Sequence, residues 1–140
     1  MEEVGWRGFA LPRMQKFYSP LIASLIIGAF WALWHLPLYF NGQYTAASNT
    51  GPAALAGILF RFEWSLPLSV IFTWVYNRAN GSLLIMVLFH VLLDWTTAVV
   101  PISYRAGAIT FLGTIWVVAI LVTVTDRMWR KPQSDDNAEP

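Results

Sequence analysis

Six side chains in this 140-residue sequence could do chemistry together: Glu2, Glu3, Arg7, His35, His90 and Asp94. Glu3 and Arg7 are four residues apart, with the acid N-terminal to the base, which is the better order for an ion pair on a helix. Glu2 lies about 100° further round such a helix and is left free for another task. His35 and His90 are the two histidines of the chain. His90 and Asp94 are again four apart, so on a helix they share a face and can orient one another or serve one centre. A carboxylate, two imidazoles and a second acid form a set that can activate water by general base catalysis. The same set can polarise a peptide carbonyl and stabilise an oxyanion, with or without a metal. Amide hydrolysis fits it. Taken singly, each has a plainer reading: Glu3 with Arg7 as an interfacial salt bridge, and His35 as a buried histidine satisfied by neighbouring backbone. Arg61 and Glu63, two apart and hence on different faces of a helix, read as interfacial.

These groups sit in an unusually apolar chain. Hydrophobic residues make up 56% and charged residues 12% of the sequence, against roughly 45–50% and about 25% in a typical soluble domain. Nine Lys/Arg against eight Asp/Glu leave a formal charge of +1. That balance offers no surface for nucleic acid, whose binding depends on an excess of cations. No cysteine is present, which excludes a disulfide framework, a thiolate nucleophile and a thiolate zinc site; a metal would have to sit on His and carboxylates. Eight Trp, nine Phe and five Tyr suit lipid and its interfaces.

Four apolar stretches set the fold class. Ser19–Phe40 as a helix rises about 33 Å, enough to cross a hydrocarbon core of about 30 Å. Ala53–Tyr76 is interrupted by Arg61 and Glu63. Ser82–Val100 carries His90 and Asp94, and Gly107–Thr125 has no ionisable residue. The expectation is an all-α integral membrane bundle of about four spanning helices plus an N-terminal helix end. Residues 1–130 form one membrane-embedded domain, and 131–140 a disordered cytoplasmic tail. Asn41–Pro52 and Asn77–Gly81 are polar linkers. Arg7, Arg13, Lys16, Arg78, Arg127, Arg130 and Lys131 fall on one side and Arg105 on the other, which places the first segment, the Arg78 turn and the tail in the cytoplasm. Trp74, Tyr76 and Trp129 near cytoplasmic ends and Tyr39 near an outer end match aromatic belts. The apolar run after Met1 is too long for a signal peptide and is followed by further spans.

A hairpin estimate connects the N-terminal acids to the first histidine. If the chain reverses near Ser19-Pro20, where a proline can open a helix, Glu2 and His35 average to position 18.5 and each lies about 25 Å from the turn. Their side chains could then meet. His90 and Asp94, roughly 15 Å and 21 Å past the Arg78 turn, fall shallower, so tilt or unequal turn depths must close the gap, with Pro12 adding a bend.

Three motifs in order carry a family resemblance. Glu2-Glu3-Val4-Gly5-Trp6-Arg7 resembles the EExxxR signature of the CPBP intramembrane proteases, the family of CAAX prenyl endopeptidases and Abi proteins. Trp31-Ala32-Leu33-Trp34-His35 resembles its FxxxH motif, and His90-Val91-Leu92-Leu93-Asp94 its HxxxN or HxxxD motif. The resemblance covers about residues 1–100 and implies an intramembrane endopeptidase, a multi-pass protein of the cell membrane acting on a peptide or protein substrate, lipidated in the prenyl endopeptidases. By position it makes Glu2 and His35 the pair that activates water, and His90 and Asp94 the pair at the oxyanion, with Glu3 and Arg7 holding the geometry. The family has been described both as metal-dependent and as glutamate proteases, so the resemblance leaves a divalent metal such as zinc on Glu2, His35 and His90 open.

Three departures stand out. Trp31 replaces the usual Phe. Asp94 stands where the prenyl endopeptidases have Asn, and an ionised carboxylate repels an oxyanion, so Asp94 is protonated, binds a metal or only orients His90. Family members usually carry further spanning helices before the first motif, which implies an N-terminally truncated chain. Two rival readings of the same residues are a catalytically inactive membrane binding or immunity protein and a proton-coupled transporter.

Overall fold

The computed structural model describes residues 2–40, 52–99 and 105–131. Among them every regular element is helical: α1 (Glu2–Gly5), a wide turn over Trp6–Ala10, α2 (Leu11–Met14), α3 (Pro20–Trp34), α4 (Leu36–Phe40), α5 (Pro52–Arg78), α6 (Leu83–Val99) and α7 (Arg105–Thr125). The all-α membrane bundle expected from composition is what forms. The Asn41–Pro52 linker up to Gly51, the tail beyond Lys131 and the side chains of Tyr39 and Arg105 lie outside the described residues.

Local chemistry fixes the element ends. Pro12 has no N–H to bond to Gly8, and the turn before it widens so that the Leu11 N–H reaches back to the Trp6 carbonyl, a π-type bond. Ser19 caps α3 by accepting from the Ile22 N–H at 3.4 Å, with Pro20 at the first helical position; the expected chain reversal occurs there. At the far end of α3, Pro37 cannot continue the α-helical ladder. The His35 N–H turns to the Ala32 carbonyl at 3.2 Å, and the expected single span over Ser19–Phe40 is divided at His35. This break releases the Trp31 carbonyl from the helix ladder. Between α5 and α6, Asn80 (φ 50°) and Gly81 (φ 77°) take left-handed conformations, and the Gly81 N–H bonds back to the Tyr76 carbonyl at 2.9 Å, which closes the polar turn.

Three helical stretches are long and apolar enough to cross a membrane: Pro20–Leu38, Leu55–Arg78 and Gly107–Thr125. The expectation of about four is met by three and a shorter fourth. Ser82 is spent on capping, with Oγ 3.5 Å from the Ile85 N–H, so α6 has 17 residues and rises only about 26 Å.

The packing centre is the seam between α3 and α5. A Cβ on Gly28 would stand 3.0 Å from the Cβ of Ser69 and 3.1 Å from the Ser65 carbonyl. Ser65, Ser69 and Thr73, one turn apart on α5, are fully buried. Small residues on both sides let the two backbones approach, the usual basis of helix association in lipid. Trp31, Leu68, Phe72, Met86, Ile115 and Ala119 complete the core across α3, α5, α6 and α7. Opposite the break at His35, Asp126 ties α7 to α5: it accepts from Arg78 Nη2 at 2.6 Å and Nε at 2.8 Å and from the Trp74 indole at 2.6 Å. The Arg78 hydrogen bonds hold its carboxyl below the ordinary carboxylate range, with Trp74 adding to the effect. Gly28→Val should therefore force the α3–α5 seam apart and destabilise the bundle by about 1–3 kcal/mol, read as a lowered thermal midpoint in detergent; an unchanged midpoint would show that the seam is not close-packed.

Candidate active site

The N-terminal helix delivers two acids to the interior on adjacent faces. Glu3 is 2% exposed and Arg7 is fully buried, with Arg7 Nη1 donating to Glu3 Oε1 at 3.0 Å. The guanidinium also lies over the rings of Phe72 (4.4 Å) and Trp31 (5.1 Å). The same Glu3 oxygen is 2.7 Å from His90 Nδ1. The pair read from sequence as a plain interfacial salt bridge is therefore buried and shared with a histidine 87 positions away.

Glu2 points the other way. Its Oε2 accepts from the Trp31 indole N–H at 2.6 Å, and its Oε1 is 3.7 Å from His35 Nε2. The hairpin estimate that paired Glu2 with His35 agrees with this placement. His35 is 8% exposed, and its Nδ1 faces two groups, the Trp31 carbonyl at 2.8 Å and Arg61 Nη2 at 2.9 Å. A carbonyl only accepts and a guanidinium only donates, so Nδ1 serves one of them at a time: the tautomer of His35 decides which. The carbonyl is the one freed by the helix break. His90 Nε2 is 3.7 Å from Asp94 Oδ2, and the Asp94 side chain is 73% exposed. The structure thus brings all six predicted residues into one neighbourhood, with Glu3 and Arg7 beneath it.

Two contributors were not read from the sequence. Arg61, placed at the interface by its spacing from Glu63, instead turns inward to His35, while Glu63 stays exposed. The signal was present, since an arginine inside an apolar span is costly unless it serves a partner or a cavity. Trp31 is the second. Beyond its bond to Glu2, its ring meets those of His35 (6.2 Å) and His90 (5.8 Å) edge-on, and the Arg61 guanidinium lies 5.7 Å from its centre.

A cavity of about 760 Å³ opens over these groups, lined by Glu2, Trp31 and His35 on one wall, Phe60, Arg61 and Trp64 on another and His90 with Asp94 on a third. Behind Glu2 a separate groove of about 460 Å³ is lined by Gly5, Trp6, Phe9, Ala10 and Trp34. Glu2 therefore borders both a polar cavity and an apolar groove. Among the described residues no three His, Asp or Glu side chains group closely enough to hold a metal ion. Nδ1 of His90 is engaged by Glu3 and that of His35 by Trp31 or Arg61, which leaves Nε2 of each ring, the atom a metal-ligating histidine commonly offers when its Nδ1 is held by a carboxylate or carbonyl. A carboxylate and imidazole 3.7 Å apart can also hold a water at the apex of a triangle, about 2.8 Å from each.

Comparison with known proteins agrees with the geometry. Residues 1–96 match the model of the Rce1-like type II CAAX prenyl endopeptidases. CAAX prenyl protease 2 of Methanococcus maripaludis is 31% identical over 126 residues, 90% of this chain and 46% of that protein. The chain thus spans less than half the length of this curated relative. No solved structure matches. The family model covers Glu2, His35, His90 and Asp94 at the cavity and Glu3 and Arg7 beneath it, and the chain belongs to the Rce1-like CAAX prenyl endopeptidase family.

Proposed function

We propose that this chain carries the catalytic residues of an intramembrane endopeptidase, and that its substrate is a prenylated CAAX-type peptide, the class named for its relative. The observation that carries this reading is the Glu2–His35 pair, 3.7 Å apart at the wall of a cavity large enough to admit an extended peptide. Glu2 takes a proton from the water held between the two side chains as the water oxygen attacks the scissile carbonyl carbon. The carbonyl π bond opens to a tetrahedral oxyanion. His90, its Nδ1–H given to Glu3, faces the cavity through Nε2; protonated there, it donates to that oxygen, and Arg61 adds positive charge on the same cavity. As the C–N bond breaks, the proton held by Glu2 passes to the leaving amine. Asp94 sits over His90 Nε2 as an orienting group, because an ionised carboxylate would oppose a forming oxyanion. A divalent metal, where bound, would be held by Glu2 with Nε2 of His35 and His90 and would polarise the same water. The cell membrane is the proposed location.

Glu2→Gln keeps the shape of the side chain and the bond from Trp31 but removes the base. It should lower kcat by about 10²-fold or more with unchanged helical content; retained cleavage of a fluorogenic prenylated peptide would remove Glu2 from the mechanism and favour a binding role. Trp31→Phe restores the aromatic usual in the motif and deletes the indole N–H together with one of the two fused rings. Without that anchor Glu2 is free to drift, and we expect kcat to fall roughly tenfold or more at little change in KM. Arg61→Met should lower kcat/KM by a comparable factor, measured on the same peptide, and wild-type turnover in this variant would return Arg61 to a purely structural place.

A further inference from the structure

The opposite end of the bundle carries a second, independent arrangement. There α7 closes with the Met128 N–H bonded to the Thr123 carbonyl at 3.1 Å and the Arg127 N–H to the Val124 carbonyl at 3.3 Å, the pattern of a left-handed helix cap. Arg127 occupies the left-handed position at φ 50°, where glycine is normally favoured. Met128 turns into the core, 4% exposed, and its carbonyl accepts from the Leu21 N–H at 3.0 Å, which pins this turn beside the start of α3. Asp126 is held by Arg78 and Trp74, so the one acid of this end among the described residues is already compensated. Arg127, Arg130 and Lys131 are exposed and have no acidic partner among the described residues. With Pro20, Trp74, Asn77, Met128 and the Arg78-bound Asp126 they line a cavity of about 370 Å³.

A second cavity of about 250 Å³ lies deeper on the same helices, lined by Leu21, Val70, Trp116, Ala119, Ile120 and Val124 among other residues. The two are neighbours by chain geometry. Leu21 follows Pro20, Val70 is one turn before Trp74 on the same face of α5, and Val124 is two residues before Asp126. A cationic cavity where three helices end, neighboured by an open apolar cleft on the outer faces of α3, α5 and α7, has the polarity profile of a phospholipid. We propose that this end of the molecule is a binding site for an anionic phospholipid, its phosphate among Arg127, Arg130 and Lys131 and one acyl chain in the Leu21–Val124 cleft. The α3 N-terminus itself is not the phosphate donor, since the Leu21 and Ile22 N–H groups are already bonded to Met128 and Ser19. Basic cavities between spanning helices are a recurrent setting for such headgroups.

Native mass spectrometry of the full chain in neutral detergent tests this with phosphatidylglycerol and phosphatidylcholine of matched acyl chains, each also offered against inorganic phosphate. We expect phosphatidylglycerol to be retained and phosphatidylcholine lost. Retention should fall roughly tenfold or more in the variant Arg127→Gly with Arg130→Gln and Lys131→Gln. Arg127→Gly alone relieves the left-handed strain, so a smaller loss from this variant with an undiminished melting midpoint would carry the same conclusion without any folding defect. Equal retention of the two lipids, or retention untouched by the triple variant, overturns the proposal. Displacement of the lipid by inorganic phosphate at equal concentration would reduce the site to a phosphate contact and overturn the acyl assignment. A photoreactive benzoylphenylalanine at Val124 should crosslink phosphatidylglycerol in preference to phosphatidylcholine in mixed nanodiscs and lose that preference in the triple variant; equal adducts of the two lipids, or crosslinking to a second copy of the chain, would also overturn it.

Discussion

The arrangement rests on one buried carboxylate oxygen. Glu3 Oε1 receives Arg7 from its own helix and His90 from α6, and neither guanidinium nor carboxylate is open to water. Removing two charges from water costs several kcal/mol each, and their attraction offsets this only when the geometry is good and the remaining polar atoms are satisfied. Sharing Glu3 between two donors, with aromatic faces against the guanidinium, meets part of that demand. The same contact fixes the N-terminal helix against α6, and through it the position of Glu2 relative to His35.

Above that anchor the site is organised by backbone interruptions. The wide turn before Pro12 and the break at His35 before Pro37 both arise because a proline cannot donate to its ladder. The second break frees a carbonyl, and that carbonyl faces His35 Nδ1 at 2.8 Å. One sequence feature thus ends a helix and also orients the imidazole at its end. Trp31, four residues earlier on the same helix, places its indole between the two histidines and donates to Glu2. A phenylalanine would keep an aromatic ring there, smaller by one fused ring, and could not hold the carboxylate.

Much of this was legible in the residues. Helical spacing made Glu3 with Arg7 and His90 with Asp94 neighbours, and equal distances from the Ser19-Pro20 turn paired Glu2 with His35. These rules succeed because they follow from the rise and period of a helix alone. What they could not give was azimuth. Arg61 and Glu63 were separated onto different faces correctly, yet which face looks inward depends on the approach of α3 at Gly28 and on the break at His35, neither of which has a periodic signature. The start of α6 was set one residue too early for a similarly local reason, because Ser82 caps the helix from outside it. The role of Trp31 was hidden because a motif letter records an aromatic ring and says nothing of its N–H.

Glu2 is seen from two rooms: the polar cavity that it shares with His35 and His90, and the tryptophan-lined groove behind the N-terminal helix. A carboxylate at such a doorway can meet an aqueous visitor and an oily one without either crossing into the other's phase. An amphiphile could therefore keep its hydrocarbon part within the membrane while its polar part reaches the acid, and the low-solubility half would never have to be lifted into water to be processed.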